Sequence, residues 1–425
     1  MVRQRALINS AIYLFFSFTS AGLGLATAVL LARFVPPAEY ARVGIFLSVL
    51  YFVAPLLSCS ADGLVAVNKV SLQDSHYRHF AATYVALAYR IFLAVQAVAL
   101  LLFACGAFSD WLLLLVPLFG LVRFLATCAN TEYVIEERAL TYGVLSVVTT
   151  LLSLVVTLIL LLTTLPSAAW RIVGLLAADA SLLLVRYHGR LGIFLQFKLD
   201  RALARQIVSF GLPALIAVAG AWALNESDKI VVLRVAGPEA AGIYTAACAI
   251  GAIMVVYLQS LTNGLTPRLY GALKNARRHT EMRVIGRFVL LFTVCAAVFA
   301  AVAIGLFMLV GTHLLSAKYA ASTPLVGWVI AASVSIAVYR PVGLGADYFR
   351  LARPRMWAIL VGGATTIVVA VVAVASLGPV GATIGIASGY LVASVVLFVS
   401  ISRARALENE VGNDEAPARA SAAGS

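Results

Sequence analysis

Charged residues inside apolar stretches are the features of this sequence that could perform chemistry. Arg90, Arg123 and Asp179 each lie within a long run of apolar residues in the first half of the chain. A charge near the centre of a membrane helix costs roughly 2.5–3.5 kcal/mol on insertion scales, so it is expected to face a cavity or an opposite charge. We predict that Arg90 and Arg123 line a cationic pocket for an anionic substrate, with Asp179 orienting one arginine. The alternative is a structural Arg–Asp pair, with the other arginine reaching to the membrane surface.

A second concentration of charge lies in the segment Trp222–Lys229. Glu226 and Lys229 share one helical face and can pair, whereas Asp228 points elsewhere and lacks a local basic partner. A carboxylate within the membrane is a candidate site for H⁺ or Na⁺, so Asp228, Glu226 and Lys229 are predicted to form a coupling-ion site. The alternative is that the helix ends near Leu224 and leaves these residues in a solvated loop.

Twelve apolar runs must position these charges. Apolar residues make up 62% of the 425 residues and charged residues 12%, whereas soluble proteins have roughly 45–50% and about 25%. A membrane-spanning helix needs about 20 mainly apolar residues. The predicted spans are 8–33, 41–66, 81–105, 111–130, 141–165, 168–187, 206–236, 240–266, 287–311, 322–340, 356–377 and 380–402. We therefore predict an all-α integral membrane fold with about 12 transmembrane helices.

The positive charge of the chain is interpreted as a signal of membrane topology. The net charge is +13, and Lys and Arg collect in the cytoplasmic connections of membrane proteins. Alternating the predicted spans places 23 basic residues on the side of the N-terminus and six on the opposite side. In this count Arg171 belongs to the opposite side, and Arg340 and Arg355 belong to the N-terminal side. Both termini are expected in the cytoplasm, and nucleic acid is not expected as a partner.

The two halves of the sequence resemble each other. Three landmarks recur at one offset of 201 residues, namely Arg33 and Arg234, Pro37 and Pro238, and Asp62–Leu64 and Asn263–Leu265. Parallel repeats of this kind predict two pseudo-symmetric six-helix bundles, 1–200 and 201–402. The basic segment Tyr187–Arg205 joins them as a predicted cytoplasmic loop, or alternatively as an interfacial helix. Residues 403–425 lack an apolar face and are predicted to form a disordered cytoplasmic tail.

Motifs of soluble enzymes do not occur in this sequence. It contains no GxxxxGK[ST] motif for nucleotide binding, and the five histidines fall in predicted connections or at helix ends. The five cysteines lie in apolar stretches without CxxC spacing. They are interpreted as buried packing residues rather than as a disulfide or metal framework. We therefore expect neither an enzyme, nor a catalytic residue, nor a metal site.

Several short segments carry a resemblance to a known family. They are Phe210–Pro213, Asn225–Ile230, Gly237–Tyr244 and Thr266–Tyr270, together with Arg33–Tyr40 after the first span. The chain resembles the Wzx-type polysaccharide and O-antigen flippases, the polysaccharide transporter branch of the MOP exporter superfamily. That superfamily also contains the MATE drug antiporters and the MurJ lipid II flippases. The chain departs from MurJ by lacking a thirteenth and fourteenth helix, and Glu226 is an acid additional to the family motif.

The resemblance implies both a fold and a function. The implied fold is MOP-like, with two bundles around a central lumen that opens alternately to each side. The implied function is to flip undecaprenyl-diphosphate-linked oligosaccharide repeat units from the cytoplasmic to the periplasmic leaflet of the bacterial inner membrane, for O-antigen, capsule or exopolysaccharide synthesis. The implied partners are the lipid-linked glycan, membrane lipids, and a polysaccharide polymerase with its chain-length regulator.

Two other functions remain open at this stage. A MATE-like multidrug or ion antiporter would favour an acidic lumen, whereas Arg90 and Arg123 predict a basic one. A membrane glycan polymerase or ligase would carry a large outer loop with catalytic arginine or histidine. The longest predicted outer connection here is only about ten residues, which disfavours an enzyme of that kind.

Overall fold

The computed structural model describes residues 2–188, 199–277 and 280–422. Within them the chain forms fifteen α-helices joined by short connections and contains no β-strand. The helices are α1 (Val2–Phe34), α2 (Pro37–Leu57), α3 (Asp62–Ser71), α4 (Asp74–Ala104), α5 (Val116–Ile135), α6 (Ala139–Thr163), α7 (Ala168–Arg186), α8 (Arg201–Asn225), α9 (Ser227–Ala236), α10 (Pro238–Gly251), α11 (Ile253–Asn275), α12 (Glu281–Leu314), α13 (Ser322–Tyr348), α14 (Ala352–Leu377) and α15 (Val380–Ala422).

Twelve helical segments of the described chain are long and apolar enough to cross a membrane. They correspond one to one with the twelve predicted runs, which confirms the all-α membrane fold. We refer to residues 2–188 as the N-half and residues 199–422 as the C-half. The division into bundles at residue 200 stays a prediction. The connections at 34–37, 105–111 and 164–168 mark one end of the molecule, called the far end, and those at 57–62, 135–139 and 348–352 mark the opposite, basic end.

The seventh predicted span is not one continuous helix. Helix α8 ends at Asn225, Glu226 leaves helical geometry at φ −131° and ψ −18°, and α9 resumes at Ser227. The hydroxyl of Ser48 donates a hydrogen bond of 2.7 Å to the Glu226 carbonyl, so α2 contacts the chain at the break. Gly237, at φ +89°, then ends α9 in a conformation that favours glycine. The predicted helix over 206–236 is therefore wrong in this detail.

Helices α2 and α10 form a close contact between the halves. Pro37 and Pro238 stand in the first turn of the two helices, where a missing N–H costs no helical bond. A Cβ added to Gly242 would stand 1.7 Å from the carbonyl oxygen of Pro37, and one added to Gly44 would stand 2.5 Å from the Thr245 side chain. Two residues without side chains thus let the repeat-related helices approach closely.

Further contacts fasten the halves together at the far end. Tyr319 donates a hydrogen bond of 3.0 Å to the carbonyl of Val35, and its ring packs edge-on against Tyr40 with centroids 5.9 Å apart. Ser316 donates to the carbonyl of Ala32 over 3.0 Å. These contacts join the connection before α13 to the connection between α1 and α2. The described conformation is therefore closed between the halves at the far end.

Two predicted segments at the basic end have different outcomes. Most of the joining segment Tyr187–Arg205 lies outside the described residues, although Asp200 caps α8 by accepting from the amides of Ala202 and Leu203. Residues 403–422 continue α15 as helix, which differs from the predicted disordered tail. Alanine, arginine and glutamate, which are frequent there, have high helix propensity. The absence of an apolar face is thus compatible with a helical backbone.

Candidate functional site

A cavity lies in each half of the described chain. The cavity of the N-half, about 320 Å³, lies between α2, α5 and α7, the second, fourth and sixth spans. The cavity of the C-half, about 300 Å³, lies mainly between α8, α13 and α14, the seventh, tenth and eleventh spans, with one residue each from α11 and α15. The repeat in the sequence is therefore matched only in part by the two cavities.

The two linings differ in composition. The N-half cavity is lined by Leu47, Leu50, Tyr51, Ala54, Pro55, Ser58, Phe119, Arg123, Phe124, Thr127, Arg171 and Leu175. The C-half cavity is lined by Ala221, Leu224, Asn225, Thr262, Ile336, Tyr339, Arg340, Gly343, Leu344, Asp347, Arg355, Ile359 and Tyr390. The first is mainly apolar with two arginines, whereas more than half of the second consists of polar or charged side chains.

Arg123 and Asp179 form an ion pair at the wall of the N-half cavity. Nη1 of Arg123 lies 3.0 Å from Oδ1 and 3.1 Å from Oδ2 of Asp179. The carboxylate is 12% exposed, whereas the arginine side chain is 49% exposed. A guanidinium carries five N–H donors, and a single nitrogen contacts Asp179. The structure thus brings these two predicted residues together and leaves the remaining donors of Arg123 at the cavity.

Arg171 is a second cation of the same cavity. It lies in the first turn of α7, where Nη1 donates 2.8 Å to Oγ of Ser153 on α6. Among the residues that the structure describes, no carboxylate oxygen lies within 4.0 Å of it. The sequence count assigned Arg171 to the side opposite the N-terminus and did not predict it as a cavity residue, whereas the structure places it in the cavity lining near the start of α7. Two arginines and one carboxylate leave this cavity with an excess of positive charge.

Arg90 does not join Arg123 in this cavity. It lies on α4, is exposed, and is absent from the lining. It shares its helix face with Leu93, Val98 and Leu101, which are exposed as well. That face is apolar and points away from the core packing of α4. The predicted Arg90–Arg123 pocket is therefore replaced by an Arg123–Arg171 cavity, because an apolar run in a sequence does not indicate which helix face is turned inward.

The C-half cavity also carries two arginines that the sequence count placed in connections. Arg340 lies inside α13, which extends to Tyr348, and its Nη1 donates 3.2 Å to Oε1 of Gln259. Arg355, in the first turn of α14, forms an ion pair with Asp347. The predicted spans placed Arg340 at the end of one span and left Arg355 one residue before the next, so neither arginine was predicted to line a cavity. An error of a few residues in the predicted span boundaries accounts for this, since both arginines lie near the end of an apolar run.

Glu226, Asp228 and Lys229 form a buried cluster at the break between α8 and α9. Nζ of Lys229 lies 2.7 Å from Oε2 of Glu226 and 3.8 Å from Oδ1 of Asp228. Tyr244 donates 2.6 Å to Oδ2 of Asp228, which is 1% exposed. The expectation that Asp228 lacks a basic partner is therefore wrong. The helix does break, yet the charges are buried against α10 rather than solvated, so neither of the two predicted arrangements describes them fully.

The charge balance of this cluster is uneven. Two carboxylates face one ammonium, and Oδ1 of Asp228 accepts no hydrogen bond from the described residues. The backbone of the cluster is tied to the N-half, since Ser48 donates to the Glu226 carbonyl and Nε1 of Trp222 donates 2.8 Å to the Ser48 carbonyl. The cluster therefore combines an unfilled acceptor with a position at the contact between the halves.

Comparison with known families identifies one match. The model of a family described as "Polysaccharide biosynthesis protein" matches residues 30–324, more than two thirds of the chain. No curated protein matches the sequence. The match covers α2 to α12 and therefore includes Arg123, Arg171 and the buried acidic cluster.

Solved structures show the same fold at low sequence identity. The lipid II flippase MurJ in an inward closed conformation has a TM-score of 0.68 at 11% identity, covering 92% of this chain and 87% of its own. An inward-facing multidrug resistance MATE family transporter of the MOP superfamily has a TM-score of 0.62 at 14% identity, covering 95% of this chain and 99% of its own. MATE in complex with MaL6 has a TM-score of 0.59 at 14% identity, covering 95% and 97%. The fold is MOP-like, as the resemblance implied.

Proposed function

Because the chain belongs to the polysaccharide biosynthesis protein family and has a MOP-like fold, we propose that it is a flippase for a lipid-linked glycan. The cargo is an undecaprenyl-diphosphate-linked oligosaccharide repeat unit, moved from the cytoplasmic to the periplasmic leaflet of the bacterial inner membrane. The product serves the synthesis of O-antigen, capsule or exopolysaccharide. No bond of the cargo is broken, so the protein acts as a transporter and not as an enzyme.

The observation that carries this proposal is the pair of arginines in the N-half cavity. A diphosphate offers several anionic oxygens, and guanidinium groups bind such oxygens through short, charge-assisted hydrogen bonds. Arg123 retains N–H groups that do not donate to Asp179, and Arg171 donates one hydrogen bond to the Ser153 hydroxyl. The apolar remainder of the lining, such as Leu47 and Phe119, suits the first part of a prenyl chain.

Entry of the cargo from the basic end is compatible with the contacts between the halves at the far end, through α2 and α10 and through Tyr319 and Val35. The distribution of Lys and Arg predicts that the basic end is cytoplasmic. The halves also touch at the basic end, at Cys59 and Gly211, so entry of the cargo requires that contact to open. Separation of α2 from α10 then opens the far end and releases the cargo to the other leaflet. A polysaccharide polymerase and its chain-length regulator are the partners that would receive it.

The buried acidic cluster supplies the coupling to an ion gradient. Oδ1 of Asp228 accepts no hydrogen bond from the described residues and is therefore an acceptor for a proton or a ligand for Na⁺, and the cluster carries one negative charge in excess. Binding of either cation balances Lys229 against two carboxylates. Since Ser48 ties this segment to α2, a change of charge here acts directly on the contact between the halves.

A multidrug antiporter is the competing function, and the charges of the cavities argue against it. An organic cation needs an unpaired carboxylate in the wall of its site. Asp179 is paired with Arg123, and Asp347 is paired with Arg355. Both cavities instead carry more arginine than carboxylate, which favours an anionic cargo.

The test is deletion of the gene in its host, in a strain without a redundant transporter. We expect the lipid-linked repeat unit to accumulate on the cytoplasmic leaflet and surface glycan to disappear. Wild type and Arg90→Gln should restore surface glycan, whereas the double variant Arg123→Gln with Arg171→Gln should not, at equal membrane abundance. Arg90→Gln is the matched control, because Arg90 lies in a span but outside the cavity lining. Normal surface glycan in the deletion strain would refute the flippase.

A further inference from the structure

The C-half cavity has a lining that the binding of a diphosphate does not require. It places planar hydrogen-bonding groups and two tyrosine rings around a space of about 300 Å³, which is the lower range of small-molecule sites. We propose that this cavity is the subsite for the saccharide part of the cargo. The proposal rests on the flippase function and adds to it a separate place, in the other half, where the sugar is recognised.

Tyr339 is the strongest sign that the cavity is built to hold a ligand. Its side chain is 8% exposed and lines the cavity, yet its hydroxyl forms no hydrogen bond with the described residues. The guanidinium of Arg355, which pairs with Asp347, lies beside this hydroxyl. A buried hydroxyl without a partner costs free energy, so native structures usually supply one. A ligand that carries hydroxyl groups would supply both a donor and an acceptor at this position.

The groups around Tyr339 match the chemistry of a sugar. The Asn225 side-chain oxygen accepts 2.6 Å from Tyr390, and its nitrogen donates to Ala221, which fixes the amide plane at the cavity edge. The Asp347–Arg355 pair presents an acceptor and donors side by side. The rings of Tyr339 and Tyr390 lie 5.8 Å apart at 59°, so they offer apolar surfaces to the C–H faces of a sugar ring.

The charge of the lining narrows the class of sugar. Arg340 and Arg355 face a single carboxylate, Asp347, so one positive charge remains unbalanced. Arg340 donates only to the neutral side chain of Gln259 among the described residues. The site therefore accepts neutral sugars and favours a sugar that carries a carboxylate over one that carries an amino group.

The two cavities lie on either side of one contact between the halves. Tyr51 on α2 lines the first cavity and Asn225 on α8 lines the second. Between them Trp222 of α8 donates to the carbonyl of Ser48 and packs its ring 5.4 Å from that of Phe52. A sugar attached to a diphosphate at Arg123 would have to pass this α2–α8 contact to enter the second cavity.

Binding to the purified full-length protein tests this assignment with two probes. One is undecaprenyl diphosphate, and the other is the lipid-linked repeat unit extracted from the deletion strain. Tyr339→Phe should weaken binding of the repeat unit about fivefold or more while leaving binding of undecaprenyl diphosphate unchanged. Its thermal stability should be equal to or above that of wild type, because the variant removes an unpartnered hydroxyl. Tyr257→Phe, which removes a hydroxyl bonded to the Cys295 carbonyl outside the cavity, is the matched control.

Each outcome decides the proposal. Selective loss of repeat-unit affinity in Tyr339→Phe, with Tyr257→Phe like wild type, supports the saccharide subsite. If Tyr339→Phe lowers affinity for both lipids equally, or for neither, the subsite is refuted and the flippase function stands. If wild type binds neither lipid, the flippase function itself fails. If Tyr339→Phe loses stability, Arg340→Gln is used in its place. For a carboxylate-bearing repeat unit, Arg340→Gln should lower the affinity for the repeat unit and leave the affinity for undecaprenyl diphosphate unchanged. An equal loss of affinity for both lipids would refute the subsite.

Discussion

Ser48 in the middle of α2 donates a hydrogen bond of 2.7 Å to the backbone carbonyl of Glu226, at the point where α8 stops being helical. The side chain of Glu226 pairs with Lys229, which also lies near Asp228. One serine hydroxyl therefore connects a buried charge cluster in the C-half to a helix of the N-half. Loss of this bond should loosen the contact between the halves before it affects either half alone.

The variant Ser48→Ala tests that connection. Removal of the hydroxyl takes one hydrogen bond from the Glu226 carbonyl, which costs about 0.5–1.5 kcal/mol. We expect a lower melting temperature in detergent and faster hydrogen exchange at residues 223–229. Ser209→Ala is a suitable control, because the Ser209 hydroxyl bonds the Gln206 carbonyl on an exposed part of α8. Equal stability of the two variants would contradict a role for Ser48 in holding the break.

Asp228→Asn separates ion coupling from folding. Asparagine has nearly the same shape and still offers an oxygen to Tyr244, so the buried cluster should keep its packing. It carries no charge to exchange with a proton or Na⁺. In proteoliposomes we expect gradient-driven flipping of the lipid-linked repeat unit to fall about tenfold or more, with binding nearly unchanged.

The control for this variant is Asp74→Asn, since Asp74 is exposed in the first turn of α4. Transport by Asp74→Asn should match wild type. Gradient-driven flipping that survives in Asp228→Asn would exclude Asp228 as the coupling site and leave the flippase proposal intact.

Gly242→Ala tests the closure of the far end. The added Cβ would stand 1.7 Å from the Pro37 carbonyl oxygen, a backbone atom that can move only with α2. We expect α2 and α10 to separate, at a cost of about 1–3 kcal/mol as in other overpacked contacts. A cysteine introduced as Thr245→Cys reports this separation. In the Gly242→Ala background its labelling should increase about threefold or more, as expected when the closed state is destabilised by about 1 kcal/mol.

Gly264→Ala provides the comparison for that substitution. Gly264 lies on α11 with open space around its Cβ position, and alanine has the higher helix propensity. Labelling at position 245 should stay at the wild-type level in this variant. Unchanged labelling in Gly242→Ala as well would show that the close contact does not hold the far end shut.

Glu136 predicts a pH dependence of stability at the basic end. It lies between two spans, and its hydrogen bonds from Arg186, only partly offset by burial, hold its pKa below the ordinary value. A carboxyl with a lowered folded pKa adds stability above its unfolded pKa of about 4.3, and that stability is lost as the pH falls through the folded pKa. The melting temperature should therefore decline as the pH decreases below about 4.

Arg186→Gln should flatten that decline by removing the charge that lowers the pKa of Glu136. The same variant also removes the arginine that pairs with Glu132, which accepts hydrogen bonds from Arg186 and from Tyr77. The melting temperature of Arg186→Gln at pH 7 should therefore be lower than that of wild type. The measurement is a series of thermal melts from pH 7 to about pH 3 for both proteins. Parallel curves for wild type and variant would contradict the assigned origin of the pH dependence.

Apolar run length was sufficient to predict the number and order of the spans. Each span must satisfy its own backbone hydrogen bonds in lipid, so the length of an apolar run and its helical structure are tightly linked. Run length gave the end of the helix near Leu224 only as an alternative, since the contact that accompanies the break comes from Ser48, 178 residues earlier in the chain. Tertiary contacts of this kind leave no local pattern in a sequence.

The site residues show a similar division. Arg123 and Asp179 were predicted as partners because both interrupt apolar runs at similar depth, and the structure places them 3.0 Å apart. Arg171, Arg340 and Arg355 were missed because they lie near helix ends, where a shift of a few residues turns a cavity residue into a loop residue. Arg90 was included wrongly in the pocket, since depth in a span does not specify the direction of a side chain.

The Arg123–Asp179 pair also bears on how fast a cargo could leave. Both carboxylate oxygens of Asp179 bond to one guanidinium nitrogen of Arg123. An anionic cargo therefore competes for Arg123 with Asp179, which is part of the protein. Such competition lowers the affinity for the cargo and raises its dissociation rate, where most differences in affinity arise. A transporter must release its cargo in every cycle. Competition from Asp179 for Arg123 keeps the residence time of the cargo short enough for repeated cycles.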